Sequence, residues 1–402
     1  MTKNSIVNLI NCDVQANGQR KWSDFVDGGD GFLYGIPSKS RRVTKYNPVD
    51  KSMKKIGLDL GDDAWKYNKG IRAKNGSIYC LPQLDRYNNA KYILKITPND
   101  GGDAKVEVLN DRPLPEEGNN LWLEGALASD GCIYYMPYNA RRILKLDPEN
   151  DDSLSLVGDD FGEEDDKYNG AIAGTDGFIY GLPNNRTLQI IKFQPADNSI
   201  SNVGDAFDER EYFRGGVLAN DGNIYAANRH GQVLKIDTVS NDYKFIGIRK
   251  YIKEKNGDGW WDARDEHYAG WGNPVLGADK NIYWPPCNHD QVLKLEISSQ
   301  KVTLIGDSLG DGEDKWYGGA EGRDGLIYFI PFDAYEILQV DARSISEKLG
   351  KFRGETKEAS FSIENMRELY SCFISFRILK FIDLCTHLYL YNHRRLVSHN
   401  SH

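Results

Sequence analysis

Residues 176–183 read DGFIYGLP, and near-copies return along the chain: DGFLYGIP from Asp30, NGSIYCLP from Asn75, DGCIYYMP from Asp130 and DGLIYFIP from Asp324. Asp-Gly ahead of an apolar run is a strong hairpin signal, because Gly accepts the positive φ of a tight turn. The alternating β-branched and aromatic residues that follow read as a strand. With the Tyr as marker, the copies fall at Tyr34, Tyr79, Tyr134, Tyr180, Tyr225, Tyr283 and Tyr328, in steps of 45, 55, 46, 45, 58 and 45 residues. A unit repeated seven times follows, with insertions in two of the gaps.

The rest of the unit aligns around that Tyr. Twelve residues upstream stands an aromatic: Trp22, Tyr67, Trp122, Tyr168, Phe213, Trp271 or Trp316. Three residues downstream stands Pro37, Pro82, Pro137, Pro183, Pro286 or Pro331, with Asn228 in the fifth copy alone. Next comes an apolar–apolar–Lys run such as ILKIT from Ile93 or VLKID from Val233, with Gln339 replacing Lys in the last copy, and then a short run ending in Ile/Val-Gly. Four short strands per unit make one propeller blade, so the expected fold is all-β, a seven-bladed β-propeller of four-stranded antiparallel blades over residues 1–352. The N-terminal run Val7–Asn11 reads as an orphan fourth strand that helps close the ring on the last blade, in competition with Ser346–Phe352. From 353 to 402 the pattern dissolves into a divergent tail, irregular or helical, with a faint echo of an eighth blade in Glu368–Asp383.

At these residues, DG-x-IY-x-x-P followed by ILK-x-D-P and IGD, the chain resembles repeat propellers of the broad YVTN/SMP-30/NHL-like superfamily. It is most similar to a largely uncharacterised group with that same phrase. The resemblance covers about residues 5–352 and implies the fold. Propellers host hydrolases, lyases, lectins and scaffolds, so it does not by itself imply an activity.

The composition narrows the partners. Over 402 residues, 59 acidic against 50 basic residues leave a net charge of −9, which argues against nucleic acid. The apolar run of the tail is broken by Arg377, Lys380 and Asp383, which argues against a membrane span. No N-terminal apolar run reads as a signal peptide, and the six cysteines are scattered without CxxC pairs. A monomer in the cytoplasm or an equivalent reducing compartment is therefore expected.

A residue present in every blade serves every blade, so the repeated Tyr, Pro and aromatic are assigned to structure. A lectin with one sugar pocket per blade would be the exception. Function belongs to positions that break the repeat. Two residues after the aromatic stand Asp24, Lys69, Glu124, Gly170, Gly215, Asn273 and Gly318. The resemblance to SMP-30-like lactone and ester hydrolases implies that Asp24, Glu124 and Asn273 could hold Ca²⁺ or Mg²⁺ as oxygen ligands. His230 and His289 occupy equivalent loops and could serve acid–base chemistry. Acidic loops between blades, such as Gly158–Asp166, share one face and suit a basic partner or loosely held Ca²⁺. Replacing Glu163, Glu164, Asp165 and Asp166 with Ser is expected to leave stability unchanged. The insertion 249–268 brings Trp260 and Trp261 beside Asp262, Arg264 and His267, residue types enriched at binding hot spots. The function expected from these features is a non-enzymatic scaffold that binds a protein or peptide on its loop face.

Overall fold

The computed structural model describes residues 6–11, 20–83, 91–99, 102–184, 186–209, 211–247 and 270–343. Their strands form seven four-stranded antiparallel sheets, one for each sequence copy. In blade 1, Trp22–Asp27, Leu33–Pro37, Val43–Tyr46 and Met53–Ile56 lie side by side in chain order. Blades 2 to 6 repeat this order. Blade 7 takes Trp316–Glu321, Ile327–Pro331 and Glu336–Val340 from its own copy and Val7–Asn11 from the N-terminus. The register runs from Val7 opposite Val340 to Asn11 opposite Glu336, so the orphan strand closes the ring as expected. Ser346–Phe352 and the tail lie outside the described residues.

The geometry explains each letter of the repeated phrase. The Asp caps its own turn: Asp30 Oδ1 accepts the Phe32 N–H at 3.2 Å, and Oδ2 accepts the Tyr34 hydroxyl at 2.7 Å. The same Tyr-to-Asp bond joins Tyr134 to Asp130, Tyr180 to Asp176, Tyr225 to Asp221, Tyr283 to Asp279 and Tyr328 to Asp324. The Lys of the ILK run stands directly across the ladder from that Tyr, as in Tyr34↔Lys45 and Tyr79↔Lys95. Lys45 thereby reaches Asp30 at 3.1 Å. Pro stands opposite the upstream aromatic, as in Trp22↔Pro37 and Trp316↔Pro331. In the fifth copy Asn228 keeps that bridge to Phe213 and builds the following turn with its own Oδ1, which accepts the N–H groups of His230 and Gln232.

The core lies between blades. Each of seven main apolar clusters draws on two neighbouring sheets; one joins Tyr34, Ile36 and Val43 of blade 1 to Ile78, Cys80 and Leu94 of blade 2. All seven upstream aromatics are buried, none more than 5% exposed, so they fill the wedges and are not available to stack on sugars. Cys80, Cys132 and Cys287 are buried free thiols, and the first two sit inside these clusters.

Candidate functional site

Two successive places on the inner strands gather at the ring's centre. In five blades the ladder between inner and second strand shifts register just after the aromatic. Such a bulge re-aims the residues it carries. At the place two after the aromatic, side chains from blades that are not neighbours meet. A Cβ on Gly215 of blade 5 would lie 2.7 Å from Asn273 Oδ1 of blade 6 and 2.9 Å from Glu124 Oε2 of blade 3. A Cβ on Gly318 of blade 7 would strike the Asp24 carboxylate of blade 1. The bare glycines are what let the polar side chains of the other blades converge.

Asp24, Glu124 and Asn273 are therefore brought together, as the sequence suggests, and Lys69 stands among them. Its ammonium lies 3.4 Å from Glu124 Oε2. Asp24 is buried, and burial pushes its carboxyl up to about 8, Lys69 opposing and Glu124 adding to the rise. Burial works against the Lys69 ammonium, yet Glu124 and Asp24 outweigh it and hold its pKa above the ordinary value. Asn273 Oδ1 is buried and accepts no hydrogen bond. This donor set does not fit Ca²⁺ or Mg²⁺ as it stands, because the Lys69 ammonium is paired with Glu124 and burial keeps the Asp24 carboxyl protonated at neutral pH. Among the described residues no three His, Cys, Asp or Glu cluster as metal ligands.

One residue nearer the aromatic, the inner strands carry Ser23, Asn68, Leu123, Asn169, Arg214, Gly272 and Tyr317. Here Ser23 and Asn68 tie neighbouring blades: Ser23 Oγ donates to the Tyr67 carbonyl at 2.9 Å and Asn68 Nδ2 to the Leu123 carbonyl at 3.2 Å. The other side of the ring is different. Blade 6 offers only Gly272, and Arg214 of blade 5 passes it to lay its guanidinium on the Tyr317 ring of blade 7, 4.2 Å from the centroid. Arg214 Nε donates to the Tyr212 hydroxyl at 3.3 Å, and Nη1 approaches Cys287 Sγ at 3.8 Å. Tyr317 donates to Asp314 at 2.7 Å and stacks on Phe332 at 4.1 Å; Phe332 in turn packs on Trp65 at 5.2 Å. Burial lifts the Cys287 thiol to about 12, Arg214 opposing and Asp314 adding, which makes it inert as a nucleophile at neutral pH.

This mouth lies on the face that carries the acidic loops. The Arg41 carbonyl accepts the Leu60 N–H at 2.7 Å and the Arg141 carbonyl the Phe161 N–H at 2.8 Å, so each acidic loop rests on the preceding blade's loop after Pro. Arg41 pairs with Asp59 and Asp62, and Arg141 with Asp160 and Glu163, so part of the acidity is neutralised in place. His289 is spent on packing: it stacks on Trp271 at 4.5 Å, and its Nδ1 accepts the Gln291 N–H at 3.1 Å. His230 Nε2 accepts from Arg229 Nε at 3.3 Å. Trp260, Trp261, Asp262, Arg264 and His267 lie outside the described residues. Sequence reasoning stopped one place short of Arg214 and Tyr317. The signal was there, since Arg–Gly–Tyr breaks a ring position otherwise held by Ser, Asn and Leu.

No family model matches the chain, and no curated protein matches it. Among solved structures it is similar to streptogramin B lyase (TM-score 0.61, 14% identity, 83% of this chain and 96% of that one). Virginiamycin B lyase from Staphylococcus aureus gives TM-score 0.62 at 14% identity over 83% of this chain and 98% of that one, including as a catalytically inactive histidine-to-alanine variant with quinupristin. The extracellular domain of a putative hybrid two-component system from B. thetaiotaomicron gives TM-score 0.60 at 9% identity, over 84% of this chain and 41% of that one. Likeness at such identities shows the propeller fold alone.

Proposed function

We propose that the protein is a non-enzymatic binding propeller that takes a protein or peptide segment at the mouth of its channel, on the loop-bearing face. The observation that carries this reading is the Arg214 guanidinium held over the Tyr317 ring, 4.2 Å from its centroid, across Gly272. Arg and Tyr are hot-spot residues, and a side chain already ordered by stacking loses little entropy when a ligand arrives. Around it the rim continues as the half-buried Trp65, packed on the buried Phe332, with Arg20 4.9 Å above the Trp65 ring and Tyr335 83% exposed. Selecting a random linear peptide library displayed on phage against the wild type, with Arg214→Ala as counter-target, tests it. Enrichment of sequences that Arg214→Ala fails to retain is the expected outcome. A library that enriches nothing, or enriches equally on both proteins, would sink the reading.

A further inference from the structure

We propose that Arg214 anchors a subsite for a monoanionic carboxylate borne on an apolar or aromatic body, an inference that rests on the binding reading above. A guanidinium presents five N–H donors in a planar fork. Arg214 directs them only to neutral groups, the Tyr212 phenol at 3.3 Å, the Cys287 thiol at 3.8 Å and Tyr317. Among the described residues no carboxylate pairs with it, although the chain pairs Arg41, Arg141 and Arg343 with acids nearby. Asp314, the acid of the cluster, is committed to the Tyr317 hydroxyl at 2.7 Å and faces the Cys287 thiol at 3.6 Å. A half-buried cation without a counter-ion is costly, and a planar anion from outside would satisfy the fork with two parallel bonds.

The surroundings choose between anions. Asp314 is close enough to Asp333 to help raise the latter's pKa, after burial, and Asp314 lies against the Arg214–Tyr317 pair. A phosphate dianion entering that neighbourhood meets more repulsion than a single carboxylate does. Beside the guanidinium Tyr317 stacks on the buried Phe332 at 4.1 Å, and the half-buried Trp65 packed on Phe332 at 5.2 Å is the apolar surface left to a body such as an aromatic ring. A Cβ on Gly272 would strike the Tyr317 carbonyl, so the glycine lets the blade-7 backbone that carries Tyr317 come in close beside blade 6.

Isothermal titration of the full chain with phenylacetate, phenylacetamide and inorganic phosphate tests the inference. Phenylacetate is expected to bind about tenfold or more tightly than its neutral amide, the ratio that one charge-assisted bond supplies, and more tightly than phosphate. Arg214→Gln is expected to lose the preference for the acid. Arg214→Lys retains charge without the fork and is expected to lose most of it. Loss of an uncompensated cation is expected to leave the melting temperature of Arg214→Gln equal or higher, which separates lost binding from lost folding. Equal binding of acid and amide, preference for phosphate, no binding of any probe, or undiminished acid binding by Arg214→Gln would each overturn it. The two proposals fail separately. Peptides that enrich equally with free and amidated acids would refute the carboxylate subsite alone, whereas phenylacetate binding without any peptide enrichment would refute the peptide reading alone.

Discussion

At the scale of single residues, the second copy shows what the repeated carboxylate does. Its turn is Asn75-Gly76, so Tyr79 lacks the acid that its counterparts use. Asp152 of the next blade supplies it, accepting the Tyr79 hydroxyl at 2.5 Å and Lys95 Nζ at 2.6 Å. Asp152→Ala is expected to destabilise by about 1.5–3 kcal/mol, the range for a lost bond to a charged group. Asn75→Asp added to it should restore much of that loss in denaturant titration, and a double mutant no better than the single would refute the substitution logic. Asp24 supplies a second residue-level prediction. Its folded pKa of about 8 stands above the ordinary 3.8, so the fold retains a proton that the unfolded chain releases between those values. Stability attached to this group is therefore greatest at acid pH and falls as pH rises toward 8. Asp24→Asn should melt above the wild type at pH 8, by more than about 1 kcal/mol, with the gap closing toward pH 4. Parallel melting curves across that range would show that Asp24 is not desolvated in the fold.

At the scale of elements, the hairpin turns show where the phrase is imperfect. The turn glycines Gly31, Gly76, Gly131, Gly177, Gly222 and Gly325 have φ between 73° and 93°, where L side chains are strained. The sixth copy reads Asp279-Lys280, and Lys280 is held at φ 63°. Lys280→Gly is expected to raise stability by about 0.5–1 kcal/mol, relief of the left-handed cost outweighing the added freedom of the unfolded chain. A lower denaturation midpoint would mean that the Lys280 side chain contributes more than its backbone costs. In the acidic loop Asp166 is held at φ 55° and donates its N–H to Asn139 Oδ1 at 2.9 Å, so the cost of replacing all four acids with Ser, measured against Glu163, Glu164 and Asp165 alone, reads what that position contributes.

At the scale of the whole molecule, stability belongs to the interfaces. Every blade faces two neighbours, and the clusters between them pass around the ring without a break, the last including Val7 of the N-terminal strand. Deleting residues 1–11 should uncover the edge of Glu336–Val340, lower the melting temperature by several degrees and broaden the transition, since a ring without its closure frays from that edge. A synthetic peptide spanning residues 4–11, added in trans, should raise the melting temperature again by mass action. An unchanged transition after the deletion would place the closure elsewhere.

The sequence by itself determined the number of blades, the strand order within each and the recurring places of the aromatic, Tyr, Pro and Lys. It could do so because each of these depends on contacts within one unit of about 45 residues, repeated often enough for the pattern to exceed the variation. It also picked out Asp24, Glu124 and Asn273, because polar residues that break a repeat stand out in an alignment of the chain with itself. Only the tertiary structure decided what those breaks amount to. Lys69 turns a set of oxygen donors into an ion-paired cluster, and Arg214 finds Tyr317 two blades away across Gly272. Those partners stand 55 and 103 positions apart in sequence. They meet because seven wedges close a circle, and the distance across a ring is not written in the spacing along it.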